Sequence, residues 1–222
     1  TLDRSSAASD VYKRQTGAYS SRKSEVMDPF ESLLEKDYLL TLDFDDAVES
    51  FEVQPVRIPV KGVSRGYVPD VLVKYRPDPE SGEIRKPLLA EVKRSDFLKK
   101  HAADYAPKFA AAQVYAESLG WEFRTVDETE IRLPRLANIK FLREYRNVEP
   151  QEADCMRVLQ AMAGNHGASS SEQILAALAL TDDERLYWLP VIWNMVFQRR
   201  LHTDLDTPFG GDVEFHLPGV AQ

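Results

Sequence analysis

Cysteine is nearly absent. Cys155 is the one thiol in 222 residues, so no disulfide can form within the chain, and Met156, Val158 and Leu159 around it follow a helical pattern that predicts burial rather than reactivity. Nothing approaches the roughly 18 consecutive apolar residues of a membrane helix, and the first residues lack the apolar core of a signal peptide. A cytoplasmic protein with no membrane partner is therefore expected. There is no glycine-rich phosphate loop, which assigns any nucleotide hydrolysis to a partner. His101, His166, His202 and His216 show no metal-ligand spacing. Lysine is missing from residues 151–222, which hold four Arg against ten Asp or Glu, a net of −6, whereas residues 1–150 hold 24 basic and 26 acidic side chains, a net of −2. Affinity for DNA comes largely from neutralising phosphates, so this balance argues against tight unaided DNA binding. The basic residues of the first part do cluster, in Lys93-Arg94, Lys99-Lys100 with His101, Lys108, and Arg132 to Arg146.

What the chain does have is an array of acids and one amine at a strand-compatible spacing. Tyr67-Val68-Pro69-Asp70 is followed by Glu91-Val92-Lys93, a P-D…E-x-K pattern. Side chains alternate across a strand, so Glu91 and Lys93 share one face of Leu88–Lys93 while Leu88, Ala90 and Val92 fill the other. Asp70 falls among the β-formers of Gly66–Tyr75, and the turn-rich Arg76–Glu83 between the runs predicts a hairpin that brings Asp70 beside Glu91.

Residues 1–24 are polar and without periodicity, which predicts a disordered tail, and the opening 1–15 reads as a non-native start. Asp28-Pro29-Phe30-Glu31 has the form of a helix start, with Asp28 as cap. Ser50–Gln54 and Val56–Val60 read as a strand pair or one strand broken at Pro55. Asp96–Leu119 is helical with a kink at Pro107. Trp121–Val126 reads as a strand running parallel to that of Glu91 after the helical crossover, and Arg135–Arg146 as a further helix. Glu149-Pro150-Gln151 marks a boundary between a first domain at 25–149 and a second at 150–222. The second holds helices at Glu152–Ala163, Ser171–Leu180 and Asp182–Arg200, the last opened by Thr181-Asp182-Asp183-Glu184 as a capping box. A hairpin of Leu201–Leu205 with Val213–Leu217 completes a winged-helix-like pattern. Trp188 and Trp193 are expected in the core or an interface rather than stacked on bases.

Phosphodiester cleavage needs a deprotonated water and stabilised charge on the phosphorus oxygens, and a carboxylate-held Mg²⁺ supplies both. Asp70 and Glu91 with the backbone carbonyl of Val92 would be its ligands, since Mg²⁺ prefers oxygen. Lys93 would orient the water or offset phosphate charge. The bland alternative is a surface ion pair of Glu91 with Lys93. A third carboxylate is expected from the first helix, where Glu31 and Glu35 lie one turn apart. Glu35 is favoured because Glu31 has a capping role and Glu35 has none.

Phe30–Tyr38, Val48 through Gln54-Pro55, Tyr67–Asp70 and Ala90–Lys93 together resemble, in order and spacing, the TnsA-like endonuclease subunit of heteromeric cut-and-paste transposases. The resemblance covers about Asp28 to Arg146. It implies an α/β fold with a restriction-endonuclease-like mixed sheet flanked by helices, and a catalytic set of Glu35, Asp70, Glu91 and Lys93. It implies Mg²⁺, with Mn²⁺ as a substitute, and cleavage of the non-transferred strands at the 5′ ends of a transposon. It implies double-stranded transposon-end DNA, a TnsB-type DDE transposase and a TnsC-type AAA+ ATPase as partners, in a prokaryotic cytoplasm and at the nucleoid when DNA is bound. A standalone restriction-type or repair nuclease, or a non-catalytic adaptor of the same fold, are the competing expectations.

Overall fold

Two runs rich in valine and leucine flank an exposed polar stretch, and in the computed structural model they become the two central strands of a sheet. Residues 17–19, 21, 23, 28–30 and 32–219 are described. The elements in chain order are β1 (Gly17–Tyr19), β2 (Asp28–Phe30), α1 (Leu33–Asp43), β3 (Val48–Val53), β4 (Ile58–Val60), β5 (Val63–Tyr67), β6 (Val71–Tyr75), β7 (Leu88–Val92), α2 (Ser95–Lys100), α3 (Ala102–Ser118), β8 (Glu122–Val126), α4 (Glu128–Ile131), α5 (Pro134–Glu144), α6 (Glu152–Ala163), β9 (Ala168–Ser170), α7 (Ser171–Leu178), α8 (Asp182–Phe197) and β10 (Glu214–His216). The fold is mixed α/β. The chain divides into two units between Glu128 and Thr129, earlier than the Glu149-Pro150 boundary expected, so that α5 lies in the second unit. Among the described residues no helix is long and apolar enough to cross a membrane.

In the first unit β3, β6, β7 and β8 form a mixed sheet in that order. β6 pairs antiparallel with both β3 and β7, and β7 pairs parallel with β8, the crossover passing through α2 and α3. One face is covered by α3, whose Ala112 and Ala116 are fully buried against a core of Ile58, Leu72, Leu89 and Phe123. Two alanines one turn apart let the helix backbone approach the sheet closely. The β6–β7 connection is exposed and organised by the Asp78 carboxylate, which accepts the N–H groups of Glu80 and Ser81 at 3.1 and 2.8 Å.

Several local expectations are corrected. Asp28 does not cap a helix: Asp28–Phe30 is strand β2, paired with β1, so structure also begins before Asp28. α1 starts at Leu33 behind Ser32, whose extended backbone and hydroxyl, accepting Glu35 N–H at 3.1 Å, satisfy a first-turn donor. Glu31 and residues 1–16 lie outside the described residues. β3 and β4 are not a pair, since β4 joins β5 in a separate two-stranded sheet. The helical break falls at His101, with Pro107 accommodated inside α3. Pro107 and Ala103, whose carbonyl loses its partner, are both exposed, so water can take the missing bond.

The β4–β5 hairpin depends on one glycine. Gly66 has φ +65, and a Cβ there would lie 2.6 Å from the Ile58 carbonyl oxygen. Gly66→Ala is therefore expected to lose about 2 kcal/mol or more, through left-handed strain and a backbone clash, read as a lower urea midpoint.

In the second unit α6, α7 and α8 surround a core containing Val158, Met162, Ile174, Leu175, Ile192 and Met195. Trp188 and Trp193 are buried, and the Trp193 ring lies 4.8 Å from Phe141 and 5.3 Å from Phe215. Cys155 is buried too. The expected terminal hairpin is reduced to one antiparallel bridge, His202 with His216, and β10 pairs along its length with β9, a partner not expected. The capping box is on Ser170 and Gln173. At α8, Thr181 accepts Glu184 N–H as expected, but the Glu184 carboxylate takes Leu180 N–H instead of closing the box. Buried Asn138 on α5 donates to the carbonyls of Leu205 and Thr207 at 2.9 and 2.8 Å, fixing the turn that precedes β10.

Candidate active site

Pro69 cannot donate to a ladder, and the strand expected over Gly66–Tyr75 breaks into β5 and β6 at this point. Asp70 stands at the break rather than in mid-strand. Its backbone is nevertheless held on both sides: Asp70 N–H donates to Ala90 O at 3.1 Å, and Asp70 O accepts Gln54 N–H at 2.8 Å. Its side chain reaches the end of β7, where Oδ2 accepts Val92 N–H at 2.7 Å and the Lys93 ammonium at 3.0 Å.

Glu91 occupies the β7 face that carries Leu89, and it is buried at 3% exposure. Its Oε2 accepts the Tyr67 hydroxyl at 2.7 Å, and its Oε1 lies 3.2 Å from Lys93 Nζ. Lys93 follows the last residue of β7, yet its N–H still donates to Val126 O at 3.1 Å, so strand alternation carries its side chain to the face of Glu91. Lys93 Nζ also donates to Val92 O at 3.2 Å. From α1, Glu35 brings Oε1 to 3.9 Å of the same ammonium. It is buried, and Ser32 Oγ donates to Oε1 at 3.0 Å. The four predicted side chains thus meet, with the Val92 carbonyl at the same ammonium.

Among the described residues, three carboxylates lie within 3.9 Å of the Lys93 ammonium. Burial, with the nearby Glu91 charge, pushes Asp70 up to about 6 against the opposing pull of Lys93 and the Val92 N–H. Burial raises Glu91 as well, opposed by Lys93 and the Tyr67 hydrogen bond. Burial alone would lower Lys93, but Asp70 and Glu91 outweigh it and hold the amine above its ordinary value. The acids around it thus favour the charged form of Lys93. Among the described residues no three His, Cys, Asp or Glu side chains stand ready to hold an ion by themselves; here the acids converge on the lysine instead. The donor chemistry fits a divalent cation all the same, because every available ligand is a hard oxygen.

Sequence reasoning did not single out Tyr67. A tyrosine closing a strand reads as core, and its ring does sit in the core with Leu72 and Leu89. Its place two residues before Pro69 was the available signal. The basic cluster after Lys93 lies on α2 and α3: Lys99 and Lys100 are exposed, Arg94 pairs with Asp96 at 2.8 Å, and the Lys108 ammonium lies 5.0 Å from the Tyr105 ring centre.

Comparison with curated proteins finds no match. Two family descriptions do match: TnsA-like endonuclease N terminal over residues 45–128, and TnsA endonuclease C terminal over residues 130–205. The junction between them coincides with the division of the chain at Glu128/Thr129. Asp70, Glu91 and Lys93 lie within the first match, whereas Glu35 precedes it and joins the site by geometry alone. The chain belongs to the TnsA-like endonuclease family.

Proposed function

We propose that this protein is the Mg²⁺-dependent endonuclease subunit of a cut-and-paste transposase, cleaving the non-transferred strands at the 5′ ends of the transposon. The observation that carries the reading is the buried convergence of Glu35, Asp70 and Glu91 on Lys93. Glu35, Asp70, Glu91 and the Val92 carbonyl would hold Mg²⁺, or Mn²⁺ in its place. When bound, such an ion lowers the pKa of a water and stabilises charge on the phosphorus oxygens. Val92 N–H fixes the Asp70 carboxylate, and Tyr67 fixes that of Glu91, so neither has to reorient for catalysis. Lys93, held protonated, offers its ammonium to the scissile phosphate or the attacking water. Lys99 and Lys100, exposed a few residues further on, would meet the backbone of the same DNA.

The second unit supports a partner-facing role. Its order of helix, strand, two helices and strand, from α6 through β10, is compatible with a winged helix. A DNA-reading winged helix presents a basic recognition helix. Here Arg185 is committed to Glu172, with 2.6 and 2.7 Å contacts, and Arg200 to Glu152 at 2.7 and 2.8 Å. A TnsB-type DDE transposase that acts on the 3′ ends and a TnsC-type AAA+ ATPase are the partners this reading assigns.

The test is nicking of a supercoiled plasmid that carries transposon ends, with Mg²⁺ and the cognate transposase present. Cutting at the 5′ ends that requires both is the expected result. Cutting by the isolated protein would identify a standalone nuclease, and no cutting together with no Mg²⁺ or Mn²⁺ binding would identify an adaptor.

A further inference from the structure

Tyr67 reaches the acidic cluster from β5, outside the four-stranded sheet. Its hydroxyl donates to Glu91 Oε2 at 2.7 Å, while Glu91 Oε1 faces Lys93 Nζ at 3.2 Å. The two oxygens of one carboxylate therefore have separate partners. The phenol is not free to swing away. Its ring is packed with Ile58, Leu72, Leu89 and Phe123 and lies 6.2 Å from Phe109. Its backbone pairs with Ile58, beside a position where only glycine clears the Ile58 carbonyl.

We infer that Tyr67 is a positioning residue that limits Glu91 to a single cluster-facing oxygen and thereby favours Mg²⁺ over Ca²⁺ at this site. The inference rests on the metal reading above. Mg²⁺ accepts carboxylates through one oxygen in a compact six-fold shell, whereas Ca²⁺ takes six to eight oxygens and gains from carboxylates that chelate through both. With Oε2 held by a buried donor, Glu91 is not available for chelation. Partners behind a ligand of this kind commonly alter metal affinity as strongly as some ligands do.

Tyr67→Phe keeps the ring and removes only the hydroxyl. Calorimetric titration of the full chain with MgCl₂ and, separately, CaCl₂ should show the preference for Mg²⁺ over Ca²⁺ falling roughly tenfold in this variant. A residue with a packing role alone would lower the thermal midpoint and shift both affinities together. An unchanged affinity ratio therefore overturns the inference. A second measurement needs no variant at Tyr67: infrared spectra of ¹³C-Glu-labelled protein, with the Glu91 band identified by its loss in Glu91→Gln. The wide carboxylate splitting of a single-oxygen ligand is expected with either ion. A narrow, chelating splitting with Ca²⁺ in the unaltered Tyr67 protein overturns the inference. Binding of neither cation overturns the metal reading as well, whereas binding of both with an unchanged ratio overturns the role of Tyr67 only.

Discussion

Asp70→Asn is expected to lower Mg²⁺-supported strand cleavage by about 10²–10³-fold and to leave the folded protein as stable as before. The two halves of that expectation have different causes. Asn is nearly isosteric with Asp, and its carbonyl oxygen can still accept the Val92 N–H and the Lys93 ammonium that Asp70 Oδ2 accepts at 2.7 and 3.0 Å. The local hydrogen bonding survives. What is lost is a negative charge that burial already opposes, since the Asp70 carboxyl is pushed up to about 6, and removing it relieves a cost in the metal-free protein. Cation binding loses a charged ligand, so chemistry falls while stability does not. Plasmid nicking and urea denaturation on the same preparation separate the two. An Asp70→Asn protein that cuts at full rate would remove Asp70 from the site.

The second large effect is on stability. Lys93→Met takes away the one ammonium shared by Asp70, Glu91 and Glu35 and replaces it with an apolar chain of similar length. Stranding buried carboxylates in this way costs about 3 kcal/mol or more. The loss should depend on pH in a definite sense. Asp70 has an ordinary pKa of 3.8 and one of about 6 in the fold, so between these values the folded form holds a proton that the unfolded chain has released. Ionising the cluster therefore erodes stability as pH rises through about 6, and the erosion deepens when Lys93 is absent. Lys93→Met should be mild at pH 5 and severe at pH 8, with Mg²⁺ restoring much of the loss at pH 8. Equal destabilisation at both pH values, or none that Mg²⁺ offsets, would falsify this account of the cluster.

How much of this was legible beforehand depends on the distance over which each feature is decided. Glu91 and Lys93 could be read together because period-two alternation is local, and Asp70 joined them because the turn-rich stretch after Tyr75 left little choice but a hairpin. The family resemblance followed from order and spacing, and it points to Glu35; the other ground for Glu35, its lack of a capping role, fails, because Ser32 is the cap and bonds both the Glu35 N–H and its carboxylate. The start of α1 was misread because two signatures overlap: Asp28-Pro29-Phe30-Glu31 and Ser32-Leu33-Leu34-Glu35 both fit a cap followed by a glutamate. Pairing of β2 with β1 decides for Ser32, and strand pairing across an intervening segment is not a local property. Pro69 divides a stretch whose β-forming residues alone read as one strand, because a proline cannot donate to the ladder. The unit division at Glu128 has no proline or glycine beside it, whereas Glu149-Pro150-Gln151 holds a proline and is not where the chain divides. β9 was missed because Ala168-Ser169-Ser170 has no β-forming character and becomes a strand through β10.

The β6–β7 hairpin has Asp70, Glu91 and Lys93 at one extremity and its exposed Arg76–Lys86 connection at the other. Such an arrangement makes the connection modular. Extra residues, an epitope or a fluorophore grafted between Asp78 and Gly82 would lengthen a solvent-facing tether without altering the register in which Val71 meets Ala90.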